Sequence, residues 1–468
     1  MSSLTIWPGA RSPTSRPSFE ITSVPCAPGE AAVDETKKGD GQMKRIALLA
    51  TIGLSAGQVA AQTVVTQWDQ FSQAGITAAG PAMDELIKTC APALGGAEVL
   101  RTVAPSIGIR DSYRLAVAAG KTPDLAYTWP AASVLAGYAR IGALAPLDDY
   151  YAKYGWKHVN DFYRGRNSYE GHIYGLPMEQ DLMGVYYNKA LFEEQGIKVP
   201  TTYDEFVAAA NAFKEAGIVP IAFGNRDRWP ATNTFSLILG LTAGKQTEEQ
   251  VFFGDTPWTN EQFLKSATVF QDWANNGWFP RGFNGVGYDE ANALFLSGRA
   301  AMTITGTWVI QDMIRGSGKI DLGVFMLPPI AEDIKPGTMW GEGSQWQLSA
   351  TADQATKDAA AAYLDCLVSD DSRKIWVQKG YTVPIGTTPE ELSEWGADPV
   401  VHSFFEQGLA TPDTNFYDLH TTLPESVTQV LYPELQRLAG GDTTPEEFLQ
   451  AMQTAWETAI ANGERWVP

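Results

Sequence analysis

Histidine and cysteine are scarce. Four His and three Cys in 468 residues are too few for a zinc framework or a disulfide-dense scaffold. Positive charge is also in deficit: 34 Lys and Arg face 54 Asp and Glu, giving −20 at pH 7 and an isoelectric point near 4.6. So acidic a chain repels phosphate backbones, which argues against nucleic acid as a partner. No apolar run reaches the ~20 residues of a membrane span, so no membrane insertion is expected. From residue 62 onward the chain has no His-Glu-x-x-His, no Gly-x-Ser-x-Gly and no Walker loop, which removes the commonest metalloprotease, serine-hydrolase and nucleotide-binding readings. His158, His172, His402 and His420 are scattered and read as surface or core residues rather than ligands. The expectation is no metal, no cofactor and no catalytic residue.

Aromatics are plentiful: 15 Trp, 17 Tyr and 20 Phe, within 44% hydrophobic and 19% charged residues. That balance belongs to a globular protein, and the length suits two or three domains. Residues 1–42 are rich in Pro, Ser and Gly without hydrophobic period, so they are expected to be disordered, or an extension upstream of a true start at Met43. Met43-Lys44-Arg45, the apolar run Ile46–Leu54 and the small residues Val59-Ala60-Ala61 have the layout of a secretory signal peptide over 43–61. No Cys follows the expected cleavage site, so the product should be free in a periplasm. Export permits a Cys90–Cys366 disulfide, but two cysteines far apart in sequence are weak evidence for one. Both are expected as buried single thiols in helices.

From residue 62 onward, strand-like and helix-like segments alternate, the α/β pattern. Thr63–Trp68, Val99–Ala104 and Asp124–Trp129 read as strands; Met83–Ala93, Tyr113–Ala119 and Ala359–Val368 read as helices. Thr202–Glu205, Thr388–Glu391 and Thr444–Glu447 have the Thr-x-x-Glu spacing of capping boxes, two of them with Pro at the first helical position.

Several stretches resemble a known family. They are Tyr169–Pro177 running into Val185-Tyr186-Tyr187-Asn188-Lys189-Ala190-Leu191-Phe192, then Gly196–Phe206, then Phe295–Trp308 with its Ala-Met-Thr-Ile-Thr-Gly-Thr-Trp ending, and Gly323–Pro328. In this order they are similar to the family-1 extracellular solute-binding proteins of ATP-binding-cassette importers, the group that includes maltose-binding protein. The resemblance covers 62–468. It implies an α/β, two-lobed periplasmic-binding-protein fold (type II-like), whose discontinuous lobes are joined by a multi-strand hinge with sugar bound between them. Crossings are expected near Gly175–Asp181, Leu296–Met302 and Trp340–Trp346. Lobe 1 is then 62–174 with 303–341, and lobe 2 is 175–302 with 342–468. Cys90 and Cys366 would fall in different lobes, where a bridge would pin a cleft that must open.

The implied function is capture of a sugar or short oligosaccharide and delivery to permease subunits, by a monomer and without turnover. Sugars offer apolar C–H faces to aromatic rings and hydroxyls to carboxylates and amides. The resemblance places Trp129, Trp308 and Asp181 at sugar-contact positions. Trp68, Asp69, Trp229, Asn225, Glu342 and Trp346 follow from their places beside strand ends or crossings. Phe416, Tyr417 and His420 occupy a late loop where some relatives contribute aromatics. Tyr187 and Lys189 read as structural. A secreted carbohydrate-active enzyme is the alternative, since the same residue types line such a cleft. A similar fold binding a peptide, polyamine or metal is a further one.

Overall fold

The computed structural model describes residues 63–72, 79–104, 106–128, 132–342, 344–379, 383–410 and 415–467. The expected extension and signal peptide lie outside them, as does Trp129. In chain order the strands are β1 (Val64–Asp69), β2 (Glu98–Val103), β3 (Leu125–Thr128), β4 (Ser168–Tyr169), β5 (His172–Ile173), β6 (Leu176–Pro177), β7 (Glu179–Asn188), β8 (Val219–Ala222), β9 (Ala300–Gly306), β10 (Leu322–Phe325), β11 (Thr338–Glu342), β12 (Gln345–Leu348), β13 (Val383–Pro384) and β14 (Asn415–Tyr417).

Two sheets organise the chain. The first has the order β2-β1-β3-β12-β6, with β1 parallel to β2 and β3, and β12 antiparallel to β3 and β6. The second runs β14-β11-β7-β9-β8, with β10 and β13 also paired to β7. Around β1 the burial alternates, Val65, Gln67 and Asp69 being inside, as a strand covered more heavily on one face requires. The helix Gly80–Cys90 buries Ala82, Met83, Leu86 and Cys90, positions spaced as one helical face. All ten residues of β7 are buried, because helices and neighbouring strands cover both its faces.

The three expected capping boxes form. At Thr202 the hydroxyl accepts from Glu205 N–H (3.2 Å) while the Glu205 carboxylate accepts from Thr202 N–H (3.3 Å). The same reciprocal pair closes Thr388 with Glu391 and Thr444 with Glu447. Each cap stabilises its helix by about 1 kcal/mol.

The chain passes from the first sheet to the second between β6 and β7, with only Met178 between them, and returns between β11 and β12. These lie where the sequence placed its first and third crossings. The crossing expected at Leu296–Met302 does not occur: β9 stays in the second sheet, parallel to β8 and antiparallel to β7. A further passage lies between the helix Asp370–Lys379, which packs on Gly80–Cys90, and β13, which pairs with Glu179 and Gln180.

The lobe boundaries are corrected accordingly. β9, β10 and β11 belong to the second sheet rather than to lobe 1, whereas β6, β12 and the helices Gln354–Leu367 and Asp370–Lys379 belong with the first sheet. Counting a crossing at Leu296–Met302 inverted the assignments from there to the helix Asp370–Lys379, and the passage before β13 ends the inversion. Cys90 and Cys366 therefore share lobe 1, and they form a disulfide with Cα atoms 5.6 Å apart across 276 residues of sequence. The expected free thiols are thus replaced by a staple inside one lobe, which leaves the hinge free.

Candidate functional site

Strand ends from both sheets meet at the hinge. Gln70, just past β1, donates from its amide to Ser344 Oγ (3.2 Å), and Ser344 N–H donates to Glu179 Oε1 at the start of β7 (2.7 Å). Two residues along, the Thr307 hydroxyl donates to Asp181 Oδ1 (3.0 Å) and accepts from Leu182 N–H (3.1 Å). Gly341 stands opposite Asp181 in the β11 register, so no side chain covers the aspartate from that strand.

Burial dominates the electrostatics. It pushes the Glu179 carboxyl up to about 7, against the opposing Ser344 N–H and Tyr127 hydroxyl. Asp181 is held well above the usual carboxylate range, first by burial and then by the charge of Glu179. Asp418, after β14, is raised to about 6 by burial, with His420 N–H and Arg166 pulling the other way. Desolvation disfavours the charged form, and a neighbouring carboxylate adds to it.

Trp308 lies two residues past the end of β9, after Thr307. Its ring lies on Gly306, where a Cβ would come within 2.0 Å of ring atoms, so glycine is required there. The indole N–H donates to Tyr288 OH (2.9 Å), which also shares a 2.6 Å hydrogen bond with Thr305 Oγ1. Trp229 completes the cluster, 4.4 Å from Tyr288 and 6.1 Å from Trp308 between ring centroids. Both tryptophans remain half-buried. Trp229 emerges from a strained turn: Arg228 has φ +69° and ψ −43°, and Trp229 N–H donates to Asp227 O (2.9 Å). This is the rarer hand of γ-turn, and such strain persists only where the surroundings fix it.

The other expected site residues divide sharply. Asp69 is fully buried and gripped by Arg101 through Nε and Nη2, each 2.8 Å away, with Phe71 N–H and the Gln67 amide filling its remaining positions. Asn225 is also fully buried; its Nδ2 donates to Asn284 and its Oδ1 accepts from Ala231 N–H, so it fastens the start of the helix Trp229–Phe252. Trp346 is core, packed on Tyr127 at 4.7 Å with its N–H toward Met178 Sδ. These three are corrected from contact residues to scaffold. Trp68 is half-buried on β1. Glu342 ends β11 opposite Gln180, and its side chain lies outside the described residues. Phe416 packs against Gly240, Tyr417 OH donates to Glu249, and His420 pairs with the Tyr432 hydroxyl, all within lobe 2. Tyr187 is core and Lys189 is an exposed first residue of a helix.

Sequence reasoning missed Glu179, Gln70, Ser344, Thr307 and Tyr288. Glu179 was within reach, since residues i and i+2 of a strand share a face and Asp181 was already singled out. Gln70, Ser344 and Thr307 are joined to the site by pairing across more than 100 residues, and Tyr288 joins Thr305 and Trp308 from a separate helix 17 and 20 residues back, which local pattern does not carry. The hinge also gathers buried polar atoms without a hydrogen-bond partner: Gln70 Oε1, Thr128 Oγ1, Trp340 Nε1 and both amide atoms of Gln345. Native folds pair nearly all such atoms, so a concentration of them marks where a polar ligand or water bonds.

Comparison with known proteins agrees with this layout. Residues 85–401 match the profile of a family described as bacterial extracellular solute-binding proteins. An uncharacterized ABC transporter extracellular-binding protein of Pyrococcus horikoshii is 26% identical over 340 residues, 66% of this chain and 71% of that one. A probable sugar-binding periplasmic protein of Rhizobium meliloti is 29% identical over 347 residues, covering 69% and 77%. Among solved structures, a chitin oligosaccharide binding protein superposes with a TM-score of 0.76, with 25% identity over 86% of this chain and 99% of that one.

Proposed function

From the premise that this chain belongs to the bacterial extracellular solute-binding proteins, we propose that it is the exported substrate-binding subunit of an ABC importer for a sugar or short oligosaccharide. The observation that carries the reading is the meeting of the Trp229–Tyr288–Trp308 cluster with a floor of Asp181, Thr307 and unpartnered buried amides. Aromatic faces stack on the apolar side of a pyranose, while carboxyl, hydroxyl and amide groups bond its rim. No covalent step is needed. Ligand bridging both lobes favours the closed form, and the permease subunits read that form. Among the described residues no helix is long and apolar enough to cross a membrane.

Asp181 and Trp308 are the contact residues this reading stands on, with Trp229 beside them. Trp129, which directly follows β3, is proposed as the stacking residue of lobe 1. The test is a thermal-shift screen of residues 62–468 against mono-, di- and oligosaccharides, with each sugar assayed afterward for conversion. A ligand at 100 times its Kd adds about 2.7 kcal/mol of stability. A shift with the sugar recovered intact supports the proposal; a sugar converted to product would make the protein an enzyme. Trp129→Ala and Asp181→Ala should each weaken binding at least tenfold, about 1.4 kcal/mol, without unfolding. Parental affinity in both would overturn the assignment.

A further inference from the structure

A neutral sugar does not account for the charge at the floor of the cleft. Glu179 and Asp181 are alternate residues of β7, so both side chains leave one face of the strand, about 7 Å apart along the backbone. They are 3% and 6% exposed, and neither is in an ion pair among the described residues. Asp69 shows how this fold treats a buried carboxylate it means to keep charged: Arg101 grips it through two nitrogens.

Among the described residues, the groups facing the pair supply no cation. Tyr127 and the Ser344 N–H face Glu179; the Thr307 hydroxyl and Asp418 face Asp181. Arg166 enters only through Asp418, and its guanidinium is committed to the hydroxyls of Thr421 and Thr422, 2.8 and 3.2 Å away. Beside the pair, Gln70 spends its amide N–H on Ser344 and keeps an unpartnered oxygen at 4% exposure. Among the described residues the floor is thus rich in acceptors and lacks a positive charge. Buried carboxylates are stable as ions only when a cation comes with the bonds, and an arriving ligand is the remaining source.

Resting on the sugar-binding reading, we propose that the cleft takes an amino sugar, its protonated amine seated between Glu179 and Asp181. Without ligand, burial and mutual repulsion keep a proton on the pair. The ammonium group makes both carboxylates stable as ions, so that proton leaves to solvent as the amine arrives. Binding is therefore linked to proton release near neutral pH, and acidification weakens it.

The experiment is titration calorimetry of the 62–468 protein with β-linked glucosamine oligosaccharides and their fully N-acetylated counterparts of equal length, with neutral glucose oligosaccharides alongside. Repeating each in two buffers of unlike ionisation enthalpy counts the protons. The expected result is at least tenfold tighter binding of the amine form at pH 7, about 1.4 kcal/mol, with proton release absent for the neutral forms. Glu179→Gln keeps the acceptor for Ser344 N–H and should abolish both the preference and the proton release, with its thermal midpoint not lowered. Equal or tighter binding of the acetylated or neutral sugar without proton release overturns the amine assignment and leaves the sugar reading intact. If no sugar binds to folded protein, both fall.

Discussion

Asp69 at the end of β1 and Asp181 near the start of β7 are both buried aspartates beside the hinge, one in each sheet, yet their surroundings are opposite. Asp69 has a guanidinium on two oxygens and two further donors, with nothing left to offer. Asp181 has one threonine hydroxyl and a neighbouring carboxylate. The tryptophans repeat the contrast. Trp346 of the first sheet is sealed against Tyr127, whereas Trp308 and Trp229 of the second stay half-open around Tyr288. In these pairs the lobe 1 residue holds strands in place and the lobe 2 residues keep part of their surface open. What decides the role is whether a partner from the same lobe reaches the side chain.

The largest expected effect tests the difference in how the lobes are fastened. Replacing Cys90 and Cys366 by Ser removes a link across 276 residues and should cost about 3–5 kcal/mol, confined to lobe 1. Calorimetry should show an earlier lobe 1 transition with the aromatic-cored lobe 2 unmoved; an unchanged profile would remove the distinction. Next, Asp69→Ala leaves Arg101 only the half-exposed Asp84 carboxylate and should lower stability by about 2 kcal/mol, while the folded fraction binds ligand normally. Asp181→Ala should do the reverse, losing affinity without losing stability. Matching phenotypes in the two variants would break the comparison.

A smaller effect is expected from Trp308→Ala, a loss of affinity of about tenfold, or 1.4 kcal/mol, together with part of any ligand-induced change in tryptophan fluorescence. The smallest concerns pH. Glu179 moves from an ordinary 4.5 to about 7 on folding, so between those values the folded state holds more protons than the unfolded one. Stability then falls as pH rises through that window. Thermal midpoints of the ligand-free protein should decline from about pH 5 to pH 7.5, and Glu179→Gln should flatten the slope; a parental slope in that variant would place the proton elsewhere.

Much of the fold was legible because its signals are local. Strand alternation, the Thr-x-x-Glu caps and the Gly-Thr-Trp ending of β9 depend on residues a few positions apart, and each forms as its pattern requires. The proposed contacts at Trp308 and Asp181 rest on the same kind of local signal, the motifs that carry them. Asp69, Asn225 and Trp346 were misread because their partners Arg101, Asn284 and Tyr127 come from other elements. Nothing in a strand-end aspartate says that an arginine 32 positions away will close on it.

The sequence by itself determined the alternation of strands and helices, the helix caps, the acidic, aromatic-rich composition and the family motifs, because hydrophobic period and capping chemistry act over a turn or a strand. Tertiary structure alone decided which sheet each later segment joins, and with it the Cys90–Cys366 bridge, since a single added crossing reverses each assignment until the next passage between the sheets. It also decided which buried carboxylates are neutralised. Burial and pairing are properties of what the folded chain brings together, and Arg101 reaches Asp69 while no basic side chain among the described residues pairs with Asp181.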